Sequence, residues 1–129
     1  MVIVTGSSRG IGSAIALALG KEGAKIVLNG RDEIRLHEVQ AELTQQGIEA
    51  VYFKGDVSDF QQAKELSNFA LQTFGKIDIL VNNVGISSRG YLADLDPSVL
   101  EQVFKSNVFG TIYPTQAALP ALRESKGSV

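Results

Sequence analysis

The sequence predicts an α/β protein built on a doubly wound parallel sheet, of which residues 1–129 supply the first half as a single domain. Two features predict it. Short apolar runs, Val2 to Val4, Ile26 to Leu28, Val51 to Phe53 and Ile79 to Val81, recur along the chain. Each is bounded by glycine or polar residues, as strands buried on both faces are. Longer stretches with helical spacing of apolar residues separate them. No connection is short enough for a hairpin, so the strands must run parallel through right-handed crossovers.

The first strand feeds a turn containing Gly6, Gly10 and Gly12, then a helix with Ile11, Ile15, Ala18 and Leu19 along one stripe. The second helix carries Leu36, Val39 and Leu43, the third Ala63, Leu66, Ala70 and Phe74. Gly23, Gly47 and Gly75 each fall just past a stripe, where a left-handed glycine ends a helix. The last third reads as one long helix from Pro97 to about Leu122, with Asp96 as N-cap and Pro97 at the first helical position. It carries Val99, Val103, Val108, Ile112 and Leu119, and Pro114 and Pro120 are expected to distort it late. Gly127-Ser128-Val129 opens a further strand, so this half is expected to stop before a fifth strand. The fourth strand then lies at or near an edge, and the long helix keeps an exposed apolar face that favours association.

The composition, 44% hydrophobic and 20% charged, is that of an ordinary globular domain. A net charge of -2 with acids and bases interleaved disfavours nucleic acid and anionic membranes as partners and leaves a small molecule. The absence of cysteine removes disulfides, zinc-thiolate sites and cysteine nucleophiles, and fits a reducing compartment. The one histidine, His37, falls on the polar face of the second helix as a surface residue, and no metal site is expected. No export signal precedes the first strand, and no apolar run approaches the ~20 residues of a membrane helix, so a cytoplasmic location is expected.

Gly6, Gly10 and Gly12 follow a strand and open a helix, the context in which glycine spacing carries meaning. The backbone there can turn sharply, approach a pyrophosphate closely and present free amides at a helix N-terminus whose dipole favours negative charge. A nucleoside-triphosphate loop would need Gly-Lys-Ser/Thr where this chain has Gly10-Ile11-Gly12. The bland alternative is a glycine-rich turn without a ligand.

Four motifs stand in order: Thr5-Gly6-Ser7-Ser8-Arg9-Gly10-Ile11-Gly12, Asp56-Val57, Asn82-Asn83-Val84-Gly85, and Asn107 ahead of Gly110. Together they resemble the short-chain dehydrogenase/reductase family, a group of NAD(P)-binding Rossmann-fold oxidoreductases, over essentially the whole chain. The resemblance implies that Gly6, Ser8, Arg9, Gly10, Ile11 and Gly12 surround the cofactor phosphates. It implies that Asp56 accepts from the adenine amino group with Val57 beside it, and that Asn83, Val84 and Gly85 lie beneath the ribose. A cap before Ser58 is the alternative role for Asp56. Asn82 is expected to fix the strand end. Val84 replaces the alanine usual in the family and narrows the pocket slightly. The loop Ser87-Ser88-Arg89-Gly90 borders the substrate cleft in the family, and a plain connection is an equal reading.

Cofactor choice turns on the end of the second strand, where an acidic side chain would bind the ribose diol and repel a 2′-phosphate. Gly30 takes that place, and Arg31 follows with a planar fork suited to a phosphate. With Arg9 in reach, both point to NADP in preference to NAD. Asp32 is either a helix N-cap, the preferred reading, or a ribose ligand that tilts the choice to NAD.

By resemblance, the reaction is hydride transfer between the cofactor and a small carbonyl or alcohol substrate, with a tyrosine acid/base and a lysine four residues later. Tyr52, Tyr91 and Tyr113 are followed at that distance by Asp56, Leu95 and Ala117, so the pair is not here. Of the family's catalytic side chains only Asn107 is present. The chain is therefore expected to be the N-terminal, cofactor-binding portion of a reductase, inactive alone and homo-oligomeric when complete. A dinucleotide-binding module without turnover is the alternative.

Overall fold

The computed structural model describes all 129 residues. Four parallel strands, β1 (Val2–Val4), β2 (Ile26–Gly30), β3 (Ala50–Lys54) and β4 (Ile79–Val81), form one sheet in the order β3-β2-β1-β4. Helices α1 (Gly10–Lys21), α2 (Glu33–Gln45) and α3 (Phe60–Phe74) make the crossovers. After β4 come a short 3₁₀ turn (Leu92–Asp94), α4 (Pro97–Phe104), a π turn (Lys105–Phe109) and α5 (Gly110–Ser125). Ser128 forms a parallel bridge to Ile79 on the free edge of β4, its amide 2.9 Å from Asp78 O and its carbonyl 3.0 Å from Leu80 N. The strand-like reading of Gly127-Ser128-Val129 is thus met at Ser128.

The sheet separates two apolar layers. Val2, Val4, Ile26, Leu28, Leu36, Val39 and Leu43 pack with α1 and α2 on one face, whereas Ile3, Val27, Leu66, Ile77, Leu80 and Leu122 pack with α3 and α5 on the other. β1 and β2 are buried on both faces, but β3 and β4 are not, because they are the outer strands of the sheet. The sequence expectation of full burial holds only for the central pair.

Helix ends follow their local chemistry. Asp32 caps α2 by accepting from Arg35 N at 3.2 Å, Asp59 caps α3 through Gln62 N at 2.9 Å, and Asp96 caps α4 through Ser98 N at 2.8 Å. Gly23, Gly47 and Gly75 have the positive φ that ends a helix.

Two expectations require correction. In α1 the buried residues are Gly12, Ala16 and Gly20, whereas Ile11 is 74% exposed and Ala18 is also exposed. Glycine and alanine let the helix axis approach the strands, so its small face goes inward. The long helix is likewise not continuous: it widens into the π turn at Lys105–Phe109, one turn ahead of Pro114, and then runs through Pro114 and Pro120 to Ser125. Its buried face is Ser106, Gly110, Pro114 and Ala118, leaving Val108, Ile112 and Leu119 exposed with Leu100 and Phe104.

Candidate functional site

A groove of about 410 Å³ opens at the carboxyl ends of the strands, where parallel sheets of this kind take ligands. Gly6, Ser8, Arg9, Gly10, Ile11, Arg31, Asp56, Val57, Asn83, Val84 and Gly85 all line it. Gly12 and Asn107 do not line it. Sequence reasoning missed Asn29, Gly55, Ile86 and Ser106 on the lining.

The floor of the groove is the turn between β1 and α1, locked by side chains of the turn itself and of the segment after β4. Thr5 Oγ1 donates to Val81 O at 3.2 Å and accepts from Asn83 N at 3.0 Å. Ser7 Oγ donates to Val4 O at 2.7 Å and accepts from Asn29 N at 2.9 Å. Asn83 Nδ2 donates to the carbonyls of Thr5 and Gly6, both at 3.1 Å. Its side-chain amide is thus spent on holding the turn. A Cβ on Gly12 would lie 2.4 Å from Gly6 O and 2.6 Å from Asn83 Nδ2, so only glycine lets α1 start this close. Gly10 has φ +59° with nothing near its missing Cβ.

Unlike α2, α3 and α4, α1 begins without a side-chain cap, and its first turn holds no acidic residue. Its first amides are left unpaired by side chains at the groove, where the helix dipole adds positive potential. This is the donor set a pyrophosphate requires.

At the opposite end of the groove, Asp56 takes the turn-closing role before Ser58. Oδ1 accepts from Ser58 N at 2.9 Å and Ser58 Oγ at 2.7 Å, closing a turn, while Oδ2 is 3.8 Å from Arg31 Nη1. Burial pushes its carboxyl up, but the two Ser58 bonds and the charges of Arg31 and Lys105 outweigh this and hold it below the usual range. Asn29 ties this end to the turn: fully buried, it donates from Nδ2 to Phe53 O at 3.1 Å and Gly55 O at 3.2 Å. The signal for it was its place immediately before Gly30-Arg31. Asp32 is taken up as the α2 cap and by Arg35 Nε at 3.3 Å, so the cap reading stands.

Asn107, in the π turn, is paired twice with the backbone of Ile86: Oδ1 accepts from its N–H at 2.8 Å and Nδ2 donates to its carbonyl at 2.9 Å. It pins the segment after Gly85 rather than presenting a free amide. Asn82 Nδ2 donates to Thr115 Oγ1 at 2.9 Å, joining the end of β4 to α5, and its buried Oδ1 has no partner. His37 is exposed on α2, as are Ser87 to Gly90 beyond the groove.

The family model for short chain dehydrogenases matches residues 1–129. The chain belongs to this family. Among curated short-chain dehydrogenase relatives, a diacetyl reductase [(S)-acetoin forming] of Staphylococcus epidermidis is 38% identical over 129 residues, covering 98% of this chain and 50% of the relative. Among solved structures, an alcohol dehydrogenase from Thermococcus sibiricus complexed with 5-hydroxy-NADP superposes with a TM-score of 0.94 at 34% identity, covering 98% of this chain and 55% of that one. A metagenomic short-chain oxidoreductase in complex with NADP gives 0.92 at 34%, covering 99% and 59%. A 3-ketoacyl-ACP reductase from Sinorhizobium meliloti 1021 gives 0.93 at 31%, covering 98% and 50%. The chain spans about half the length of the curated relatives it matches. No helix is long and apolar enough to cross a membrane.

Proposed function

We propose that residues 1–129 are the cofactor-binding half of an NADP-dependent oxidoreductase that interconverts a small carbonyl and its alcohol. The observation that carries this reading is the uncapped start of α1 over a glycine turn with no room for side chains, opening on the groove. The bound dinucleotide would supply or accept the hydride. The α1 amides and Gly10 would hold its pyrophosphate, and Asp56 its adenine. Arg9 and Arg31 would hold a 2′-phosphate, and no carboxylate opposes it at Gly30. NADP or its 5-hydroxy derivative in two solved relatives supports the assignment. The exposed stripe of Leu100, Phe104 and Ile112 supports self-association of the complete protein. The lack of cysteine fits a reducing cytoplasm.

Fluorescence titration of the complete gene product tests the reading. NADPH is expected to bind at least about tenfold more tightly than NADH, a difference of ~1.4 kcal/mol, and to be oxidised on adding a carbonyl substrate. Tighter binding of NADH overturns the cofactor choice, and binding without oxidation across aldehydes, ketones and diketones favours a non-catalytic module.

The electrostatics of Asp56 give a second expectation. With its carboxyl held below the usual range, it stays ionised from pH 8 down to pH 5, and its support for the adenine stays constant across that window. NADH affinity is therefore expected to change less than about twofold between these limits. NADH is the suitable probe, because the 2′-phosphate of NADPH itself titrates near pH ~6. A steep loss of NADH affinity between pH 6 and 5 would show that this carboxyl is raised above the usual range instead.

A further inference from the structure

Beyond Arg31 the groove continues into a basin bordered by Ser8, Arg9, Arg31, Glu33, Arg35 and Lys54. Lys54 closes β3 and is the register partner of Gly30 at the end of β2. Register partners on adjacent parallel strands project to the same face of the sheet, about 4.8 Å apart. Gly30 has no side chain, so Lys54 is the nearest β-strand side chain beside the place where a ribose-binding carboxylate would stand. Of the other cations, Arg35 is occupied by the Asp32 cap at 3.3 Å. Lys54 Nζ is 3.2 Å from Glu33 Oε2, with both side chains more than half exposed. A pair this exposed contributes little, so Lys54 can leave Glu33 for a phosphate dianion at small cost.

The geometry points to Lys54 as a third cation of the 2′-phosphate site, supplied from β3, with Glu33 as the carboxylate that competes for it. This assignment rests on the NADP reading and adds a specificity determinant to it. Arg9 approaches from the glycine turn, Arg31 from the end of β2 and Lys54 from the neighbouring strand, so three elements would surround the phosphate. Glu33, in the first turn of α2, would temper the affinity.

Dissociation constants for NADPH and NADH, measured side by side on the complete gene product and its Lys54→Met, Lys54→Arg and Glu33→Gln variants, test this. Lys54→Met is expected to weaken NADPH about five- to tenfold while NADH moves less than about twofold. Lys54→Arg is expected to retain NADPH binding, and Glu33→Gln to tighten it about two- to threefold. If the parent protein prefers NADPH but Lys54→Met leaves the ratio of the two constants unchanged, the Lys54 assignment is overturned and the NADP reading survives. Equal weakening of both cofactors also overturns it, by marking a general structural effect. A parent protein without NADPH preference overturns both readings. Should Lys54→Met fail to fold, Glu33→Gln still decides: unchanged or weaker NADPH binding refutes the competition.

Discussion

An alanine at position 12 is expected to abolish dinucleotide binding and to cost the fold about 3 to 5 kcal/mol. The added Cβ would lie 2.4 Å from Gly6 O, 2.6 Å from Asn83 Nδ2 and 2.8 Å from Ser7 Cα, and two of these three neighbours are backbone. Relief requires α1 to move off the turn, which breaks the Asn83 bonds to Thr5 O and Gly6 O. Overpacking costs about 1 to 3 kcal/mol and each lost hydrogen bond about 1. The total is a large share of the ~5 to 15 kcal/mol that stabilises a typical domain. The same displacement carries the α1 amides away from the groove. Gly10→Ala is the internal control. Its Cβ meets nothing within 4 Å, so only the left-handed strain at φ +59° remains, about 1 to 2 kcal/mol. Chemical denaturation with NADPH titration separates the two variants. A Gly12→Ala midpoint no lower than that of Gly10→Ala would refute the close-packing argument.

The contrast between these glycines also marks where the sequence was readable. Its order of strands and helices could be read because apolar runs and helix-ending glycines are local signals, and Asp32 and Asp96 cap as their positions suggest. The inward faces of α1 and α5 could not be read in the same way. Searching for bulky stripes selects Ile11, Val108, Ile112 and Leu119, whereas the buried positions are Gly12, Ala16 and Gly20 in α1 and Gly110, Pro114 and Ala118 in α5. Close approach of a helix to a strand rewards small residues, and small residues carry almost no hydrophobic signal. At the site, motif positions located the groove, but not what each side chain does there. Asn83 and Asn107 spend their amides on backbone groups 77 to 78 and 21 residues away in the chain. Such partners exist only after folding. The roles of Thr5, Ser7 and Asn29 were not legible for the same reason: their hydroxyls and amide act across strands, in tertiary contacts.

Replacing Gly30 by aspartate is expected to reverse the NADPH preference proposed above. The end of β2 is the one place where a single carboxylate would face both the ribose diol of NADH and the 2′-phosphate of NADPH. A Cβ there would lie 3.1 Å from Ser8 Cβ and 3.2 Å from Ser8 Oγ, and 3.5 Å from a methyl of Leu36. Ser8 must therefore yield by a few tenths of an ångström. Its hydroxyl makes no hydrogen bond within the protein that would resist the shift. The backbone contact of Gly30 O with Gly55 N at 2.9 Å does not involve the new side chain. A carboxylate about 5 Å from a phosphate, at the effective dielectric of a protein surface and with salt screening, disfavours NADPH by about 2 to 4 kcal/mol. That corresponds to a roughly 30- to 1000-fold loss of affinity. NADH gains a hydrogen-bonded diol instead, about 1 kcal/mol, so the ratio inverts even from a strong initial preference for NADPH. Arg31 moves the other way: freed from a phosphate, it can turn to the new carboxylate as it now leans toward Asp56 at 3.8 Å. Adding Arg31→Ala to Gly30→Asp is therefore expected to change the NADPH constant less than it does in the parent background. Four titrations, of the parent, each single variant and the double, measure that coupling. Strict additivity would mean that the two positions do not address the same phosphate.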